Sequence, residues 1–264
     1  MRKTFKRYQV EIMPPSNKNI ILVTGGSRGI GAAICLQAAA KGYIVCLNFH
    51  SNRAAAHKIV EQIIVEGGAA HAFQADVAIE DDIVEMFKEI DKLEGNLTML
   101  VNNAGILDTQ MKVEEMTAER INKILTTNVT GSFICTREAI RRMSKSNGRN
   151  GGSIVNISSV ASRTGSPNEY IDYAASKGAI DTMTIGMAKE LAPEGIRVNC
   201  VRPGLTHTEI HVSGGEADRI ERLKGKIPLQ RGGLPNEIAS AVLWLLSPEA
   251  SYTTGALLDV SGGI

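Results

Sequence analysis

The sequence predicts an α/β fold in which helices cover both faces of a doubly wound, parallel sheet of seven strands. Seven short segments rich in apolar residues alternate along the chain with longer stretches of helical character. Strands separated by helices imply right-handed crossovers and therefore a parallel sheet. The first segment, residues 20–23, is wholly apolar, which is typical of a strand buried on both faces of such a sheet. We see no repeat and no internal linker, so residues 19–264 are predicted to form one domain.

The first half of the chain supplies four of the strands. A glycine-rich stretch follows the first strand and leads into a helix that ends near residue 41. The next strands are predicted at residues 43–47, 70–74 and 98–101, with helices between them at residues 52–66 and 80–93. A single long helix is then predicted over residues 117–143, with Asn128 near its middle.

The second half continues the alternation. A polar, glycine-rich turn at residues 148–152 precedes a strand at 153–157. Asp172 stands just before the next helix, in which apolar residues recur at helical spacing. The remaining elements are a strand at 197–201, a polar stretch at 205–226 that we expect to be mobile, a helix at 235–246 and a strand at 256–260.

The helix after Asp172 carries Tyr173 and Lys177, which lie one turn apart on the same face. A phenol releases its proton only near pH ~10, and a neighbouring ammonium lowers that pKa. Such a pair can pass a proton to or from a substrate oxygen. A lone Tyr-x-x-x-Lys also arises by chance, as two ordinary residues on a helix face, so the rest of the chain has to support the prediction.

Composition excludes several classes of function. Hydrophobic residues make up 43% of the chain and charged residues 22%, and the net charge of +1 gives no general attraction to nucleic acid or to an anionic membrane. No apolar run approaches the roughly 20 residues that span a bilayer. The four cysteines have no metal-ligand spacing, which predicts buried, reduced thiols, no metal site and a cytoplasmic protein. Residues 1–18 are predicted to be a flexible extension outside the fold.

The glycines after the first strand indicate a dinucleotide site. Gly25 allows a tight turn, while Gly29 and Gly31 let the backbone approach a pyrophosphate and begin a helix against the sheet. The phosphates then face the positive end of that helix. The absence of a Gly-Lys-Ser/Thr sequence argues against a nucleoside triphosphatase loop.

The segment after the second strand favours NADP(H), with NAD(H) as the alternative. NAD-specific sites usually carry an acid there to bind the ribose 2′-hydroxyl, but residues 48–53 contain none. Arg28, within the glycine loop, can form two hydrogen bonds to a phosphate. The alternative interpretation is that Arg28 is a solvent-exposed charged residue of the loop.

Together these motifs resemble those of the short-chain dehydrogenase/reductase family, over residues 19–262. The resemblance rests on Thr24-Gly25-x-x-x-Gly29-x-Gly31, Asn102-Asn103-Ala104-Gly105, Asn128, Ser159, Tyr173-x-x-x-Lys177 and Arg202-Pro203-Gly204. It implies a single-domain Rossmann fold and a nicotinamide cofactor. The predicted cofactor-binding residues are Gly25, Ser27, Arg28, Gly29, Ile30, Gly31, Asn48, His50, Ser51, Asp76, Val77, Asn102, Ala104, Gly105, Tyr173, Lys177, Pro203, Gly204, Thr206 and Thr208.

The resemblance also implies four catalytic residues. Tyr173 acts as general acid in reduction and general base in oxidation, and Lys177 lowers its pKa and binds the nicotinamide ribose. Ser159 donates a hydrogen bond to the substrate oxygen, with the adjacent Ser158 as the alternative. Asn128 holds a water that relays protons to Lys177.

The substrate implied is a small carbonyl or alcohol compound, as in 3-oxoacyl carrier-protein reductases and sugar or polyol dehydrogenases. Residues 162–171 and 205–226 are expected to face it, the latter as a lid. Arg137, Arg141 and Arg142 either form a carrier-protein docking site or, as we favour, a solvated helix face. A homotetramer is expected. The competing hypotheses are a catalytically silent dinucleotide sensor and, less favoured, a methyltransferase.

Overall fold

A seven-stranded parallel sheet forms the centre of the computed structural model, which describes residues 19–264. The strands are β1 (Asn19–Val23), β2 (Ile44–Phe49), β3 (Ala69–Gln74), β4 (Asn96–Asn102), β5 (Gly152–Ile157), β6 (Ile196–Pro203) and β7 (Leu257–Val260). They lie side by side in the order β3-β2-β1-β4-β5-β6-β7. The predicted doubly wound, parallel α/β fold is confirmed. The predicted extension at residues 1–18 lies outside the described residues.

Helices cover both faces of this sheet. Their bounds are α1 (Gly29–Ala40), α2 (Arg53–Val65), α3 (Glu80–Ile90), α4 (Ala118–Leu125), α5 (Gly131–Met143), α6 (Ala161–Thr164), α7 (Ile171–Leu191), α8 (Ile210–Ser213), α9 (Arg219–Leu223) and α10 (Pro235–Leu246). Alternate residues of β1 point to opposite faces, so Ile21 packs with α1, α2 and α10 while Leu22 packs with α3, α5 and α7. This two-sided burial explains why residues 20–23 of β1 are all apolar.

The order of the strands reverses between β1 and β4. Chain connections leave these two neighbours in opposite directions across the sheet, which opens a crevice at their carboxyl ends. The glycine loop follows β1 and the segment Asn103-Ala104-Gly105 follows β4, so both come to the same crevice.

The prediction of one uninterrupted helix over residues 117–143 is wrong in detail. A π-helical turn, Thr126–Thr130, separates α4 from α5 and contains the buried Asn128. Just beyond it, Gly131 lies against the backbone of Val77, where a Cβ would stand 2.4 Å from the Val77 carbonyl oxygen. The helix thus combines a local irregularity with a close approach that its apolar pattern does not reveal.

Two predicted loops contain short helices. α6 follows β5, and α8 and α9 lie in the polar stretch at residues 205–226. The four cysteines are free and buried, as predicted. Burial raises the pKa of Cys46, Cys135 and Cys200 to about 12, so these thiols stay protonated near neutral pH. Among residues 19–264, no helix combines the length and apolar character needed to cross a membrane.

Candidate active site

A cavity of about 1110 Å³ runs along the carboxyl edge of the sheet, where residues that follow all seven strands meet. It is lined by most of the residues singled out from the sequence, namely Gly25, Ser27, Arg28, Gly29, Ile30, Gly31, Asn48, His50, Ser51, Asp76, Val77, Ala104, Gly105, Ser159, Tyr173, Lys177, Pro203, Gly204, Thr206 and Thr208. Asn102 and Asn128 are not in its wall. Residues that are far apart in sequence therefore share one elongated cavity.

The glycine loop makes a cradle at one end of this cavity. Gly25 and Gly29 have φ angles of 63° and 52°, in the left-handed region that favours glycine. A Cβ on Gly31 would stand 2.3 Å from the Gly25 carbonyl oxygen, so the loop can curl this tightly only with glycine there. Arg28 occupies the N-cap of α1 and, within the described chain, makes no side-chain hydrogen bond to the helix. The first-turn N–H groups therefore remain available to an anion.

Asn48 holds together the end of the cavity that contains the glycine loop. Its Nδ2 donates to the Ala75 carbonyl at 2.9 Å, and its Oδ1 accepts from the Gly25 N–H at 3.3 Å. Asn48 is 2% exposed and its amide is bonded to backbone groups, so its role in the cavity wall is to position the glycine loop. Next to it, His50 Nε2 lies 3.5 Å from Asp76 Oδ2, and both residues line the cavity.

Ser159, Tyr173 and Lys177 lie together on the opposite end of the cavity wall. Burial raises the pKa of Tyr173 to about 12, an effect that the Ser159 hydroxyl and then the Arg219 guanidinium partly offset. Burial lowers the pKa of Lys177 to about 8. Its Nζ donates to the Ile157 carbonyl at 2.8 Å and lies 5.5 Å from the centre of the Tyr173 ring. The pKa of Tyr173 thus lies above its usual value and not below it as expected, because burial of the phenol outweighs the effects of Ser159 and Arg219.

The two adjacent serines have different surroundings. Ser158 is 1% exposed, and its hydroxyl donates to the Lys177 carbonyl at 3.1 Å. Ser159 is half-buried, accepts from the Ala161 N–H at 3.1 Å and faces Tyr173 closely enough to lower the pKa of the phenol. The geometry therefore leaves Ser159 as the serine whose hydroxyl is available beside Tyr173.

Asn128 lies behind the cavity wall. Its Oδ1 accepts from the Ile106 N–H at 2.8 Å, and its Nδ2 donates to the Ile106 carbonyl at 2.9 Å and to the Ser176 hydroxyl at 3.0 Å. A Cβ on Gly105 would stand 3.4 Å from both Asn128 Oδ1 and Lys177 Nζ. The Asn128 amide thus fixes the segment after β4 close to the lysine.

The comparisons with known proteins agree on one family. Residues 25–264 match the protein-family model described as enoyl-(acyl carrier protein) reductase. A solved short chain dehydrogenase from Burkholderia cenocepacia J2315, in complex with NADP, is similar at a TM-score of 0.85 and 32% identity, covering 94% of this chain and 98% of that one. The chain belongs to the short-chain dehydrogenase/reductase family.

The proteins that are similar in sequence to this short-chain dehydrogenase/reductase are named for different activities. It is 57% identical over 244 residues to the uncharacterized oxidoreductase YgfF of Escherichia coli (strain K12), which covers 92% of this chain and 99% of that protein. It is 37% identical over 243 residues to glucose 1-dehydrogenase 2 of Bacillus subtilis (strain 168), covering 92% and 93%. It is also 37% identical over 244 residues to a 3-oxoacyl-[acyl-carrier-protein] reductase of Staphylococcus aureus (strain Mu50 / ATCC 700699), covering 92% and 96%. Membership makes the chain an oxidoreductase of a family that binds a nicotinamide dinucleotide, and the glycine cradle and open helix terminus fit such a group.

One predicted cofactor residue of this short-chain dehydrogenase/reductase has to be corrected. The Asn102 side chain points away from the cavity and donates to Thr136 and Asn156 side-chain oxygens, each at 2.9 Å. Side chains alternate along a strand, so the next residue points the other way. Asn103 lines the cavity and donates to the carbonyls of Thr24 at 2.9 Å and Gly25 at 3.0 Å, which fixes the glycine loop.

The sequence did not identify individual residues in the two segments expected to face the substrate. Both segments do line the cavity, and Glu169, Tyr170, Arg219 and Arg222 lie where they meet. Their only signal in the sequence was their position in polar stretches on either side of β6. The contacts join residues about 50 positions apart, a separation that no local pattern reveals.

Proposed function

We propose that this protein transfers a hydride between NADP(H) and a small carbonyl or alcohol substrate, with Tyr173 as the general acid and base. The observation that carries the proposal is the meeting of Ser159, Tyr173 and Lys177 in the same cavity as the glycine cradle. A phenol, a hydroxyl and an ammonium around one position suit a carbonyl oxygen that gains negative charge during reduction.

The pKa directions favour proton donation by Tyr173. With a pKa of about 12, the phenol is neutral near pH 7 and can give its proton to a carbonyl oxygen, leaving an alcohol. Ser159 donates a hydrogen bond to the same oxygen and stabilises the charge that develops on it. Lys177, with a pKa of about 8, remains mostly protonated near pH 7 and favours the tyrosinate left behind. When bound, the dinucleotide supplies the hydride in reduction and accepts it in oxidation.

Asn128 is proposed to hold a water through which a proton returns to Lys177 and Tyr173. The proximity of Asn128 Oδ1 and Lys177 Nζ to the same Gly105 supports this role. The Asn128 amide also keeps the segment after β4 in place, so its removal is expected to disturb both the relay and the cavity wall.

The cluster of arginines on α5 gives no support to carrier-protein docking. Arg137, Arg141 and Arg142 all pair with the buried carboxylate of Glu138. Arg137 also pairs with Glu80, and Arg142 with Asp91. Three cations meet three carboxylates, so the cluster has little charge left to attract an acidic carrier protein. This observation argues against a carrier-protein docking site at these three arginines.

A substrate panel with both cofactors tests the proposed function. We expect oxidation of NADPH, followed by its absorbance, with at least one of a set of ketones, diketones and acetoacetyl thioesters. NADPH is expected to give a kcat/KM roughly tenfold or more above that of NADH, because Arg28 faces the cavity and no acid follows β2. Arg28→Gln should lower the ratio of kcat/KM with NADPH to kcat/KM with NADH, without changing the kcat with NADH. Tight cofactor binding without any turnover would instead support a silent dinucleotide sensor.

We also propose that the protein is a cytoplasmic homotetramer. Large apolar side chains remain exposed on helices in the single chain, including Phe133 of α5, Ile185 of α7 and Trp244 of α10. β7 lies at an edge of the sheet with all four residues only partly buried. Light scattering is expected to give four times the mass of one chain, and a monomeric mass would contradict the proposal.

A further inference from the structure

Four charged side chains join the two segments at the substrate end of the cavity. Arg219 of α9 donates to Glu169 at 2.5 Å and to Glu216 at 3.0 Å. Arg222, one turn later, pairs with the same two carboxylates, at 3.1 Å to Glu169. We call this group of Glu169, Glu216, Arg219 and Arg222 the ionic latch.

Arg219 is the most buried member of the latch, and it lines the cavity. Its side chain is 11% exposed, compared with 47% for Arg222. Its guanidinium lies 4.8 Å from the centre of the Tyr170 ring. Arg219 also acts on Tyr173, since its charge lowers the pKa of that phenol. Arg219 and Tyr173, the proposed proton donor, line the same cavity.

Other contacts near the ionic latch hold the same segments together. Tyr170 is 3% exposed and its hydroxyl donates to the Gly214 carbonyl at 3.1 Å. Gln110 donates to Glu216 at 2.7 Å, and this hydrogen bond connects the segment after β4 to the latch. Gly214 packs closely against two side chains, because a Cβ there would stand 2.3 Å from Leu107 Cδ1 and 3.2 Å from the Tyr170 hydroxyl. Three segments from different parts of the chain are therefore packed together across this end.

We propose that Arg219 determines substrate specificity by closing this end of the cavity, so that compact carbonyl substrates are favoured over those with an extended tail. The inference rests on the proposed function and deepens it. A planar guanidinium can bridge two carboxylates while stacking on an aromatic ring, whereas a lysine ammonium offers only a point charge. Substrates that fit beneath the latch are held near Tyr173, and longer ones must displace it. Arg219 is a positioning residue and takes no part in proton transfer.

The test compares Arg219→Gln with Arg231→Gln. Arg231 makes the same kind of two-point pair, with Glu237 at 2.7 and 2.6 Å, but does not line this cavity. The substrates are methyl acetoacetate and hexyl acetoacetate, which share the reacting carbonyl and the ester group and differ in the length of the tail. We expect Arg219→Gln to lower the ratio of kcat/KM for the compact over the extended ester by about tenfold, chiefly through KM. Arg231→Gln should leave the ratio unchanged, and Arg219→Lys should restore it in part.

A second measurement does not depend on activity. Amide hydrogen exchange at residues 210–222 is expected to quicken by about tenfold in Arg219→Gln and to stay unchanged in Arg231→Gln. If Arg219→Gln turns over both substrates with an unchanged ratio of kcat/KM for the compact over the extended one, the proposed role of Arg219 is contradicted, whatever hydrogen exchange shows. Absence of any carbonyl turnover by the natural protein contradicts the proposed function and the specificity proposal with it. The two failures are therefore distinguishable.

Discussion

Tyr173→Phe is expected to lower kcat for carbonyl reduction by about 10²–10⁴-fold, the usual contribution of a positioned acid. Phenylalanine keeps the ring that lines the cavity and removes only the hydroxyl beside Ser159. The carbonyl oxygen then loses its proton donor, while the glycine cradle is untouched. Steady-state kinetics with NADPH and the best substrate from the panel measure the loss. The dissociation constant of NADPH, followed by fluorescence, should change little.

Two matched variants make this result specific. Tyr252→Phe removes the same hydroxyl from a fully exposed tyrosine and should leave kcat unchanged. Ser159→Ala should lower kcat by about 10²–10³-fold, as expected for loss of one donor to the developing oxyanion. Ser158→Ala should cost less activity, because its hydroxyl is bonded to the Lys177 carbonyl. Full activity of Tyr173→Phe would contradict the proposed mechanism. Loss of kcat in Ser158→Ala but not in Ser159→Ala would show that Ser158, and not Ser159, is the catalytic serine.

The parts of this molecule that sequence predicts best are those set by local periodicity. The apolar run of β1 and the four-residue spacing of Tyr173 and Lys177 follow directly from strand burial and helix geometry. The glycine loop is also predictable from local sequence, because the backbone passes too close to position 31 for any residue with a Cβ. These features need no knowledge of distant contacts.

What sequence could not predict depends on where side chains point and on burial. Asn102 and Asn103 are identical residues, and only the direction of the β4 chain decides that the second one faces the cavity. The pKa of Tyr173 depends on how deeply the phenol is enclosed, an effect larger than those of the Ser159 hydroxyl and the Arg219 guanidinium. The ionic latch joins Glu169 to Arg219 across a whole strand and helix, so neither residue looks unusual in its own segment.

Arg120→Met is expected to lower the free energy of unfolding by about 3–5 kcal/mol, which makes it the largest stability effect we predict. Arg120 of α4 donates through Nε to Asp172 Oδ2 at 2.7 Å. The side chains are only 8% and 1% exposed, so the loss of Arg120 leaves a carboxylate buried without its cation. Asp172 also accepts from the Tyr173 N–H at 2.8 Å, which places this pair at the start of the helix that carries Tyr173. Urea unfolding at a fixed protein concentration measures the change.

The double variant Arg120→Met/Asp172→Asn separates an unpaired buried charge from lost packing. Asparagine keeps an oxygen that can accept from the Tyr173 N–H but carries no charge, so this variant should recover much of the stability lost in Arg120→Met. Arg231→Met breaks an exposed pair, with side chains 52% and 39% exposed, and should cost no more than about 1 kcal/mol. Equal losses in Arg120→Met and Arg231→Met would mean that the Arg120–Asp172 pair is no better shielded from water than the surface pair. Equal losses in the single and double variants would mean that the packing of the Arg120 chain, and not its charge, stabilises the start of α7.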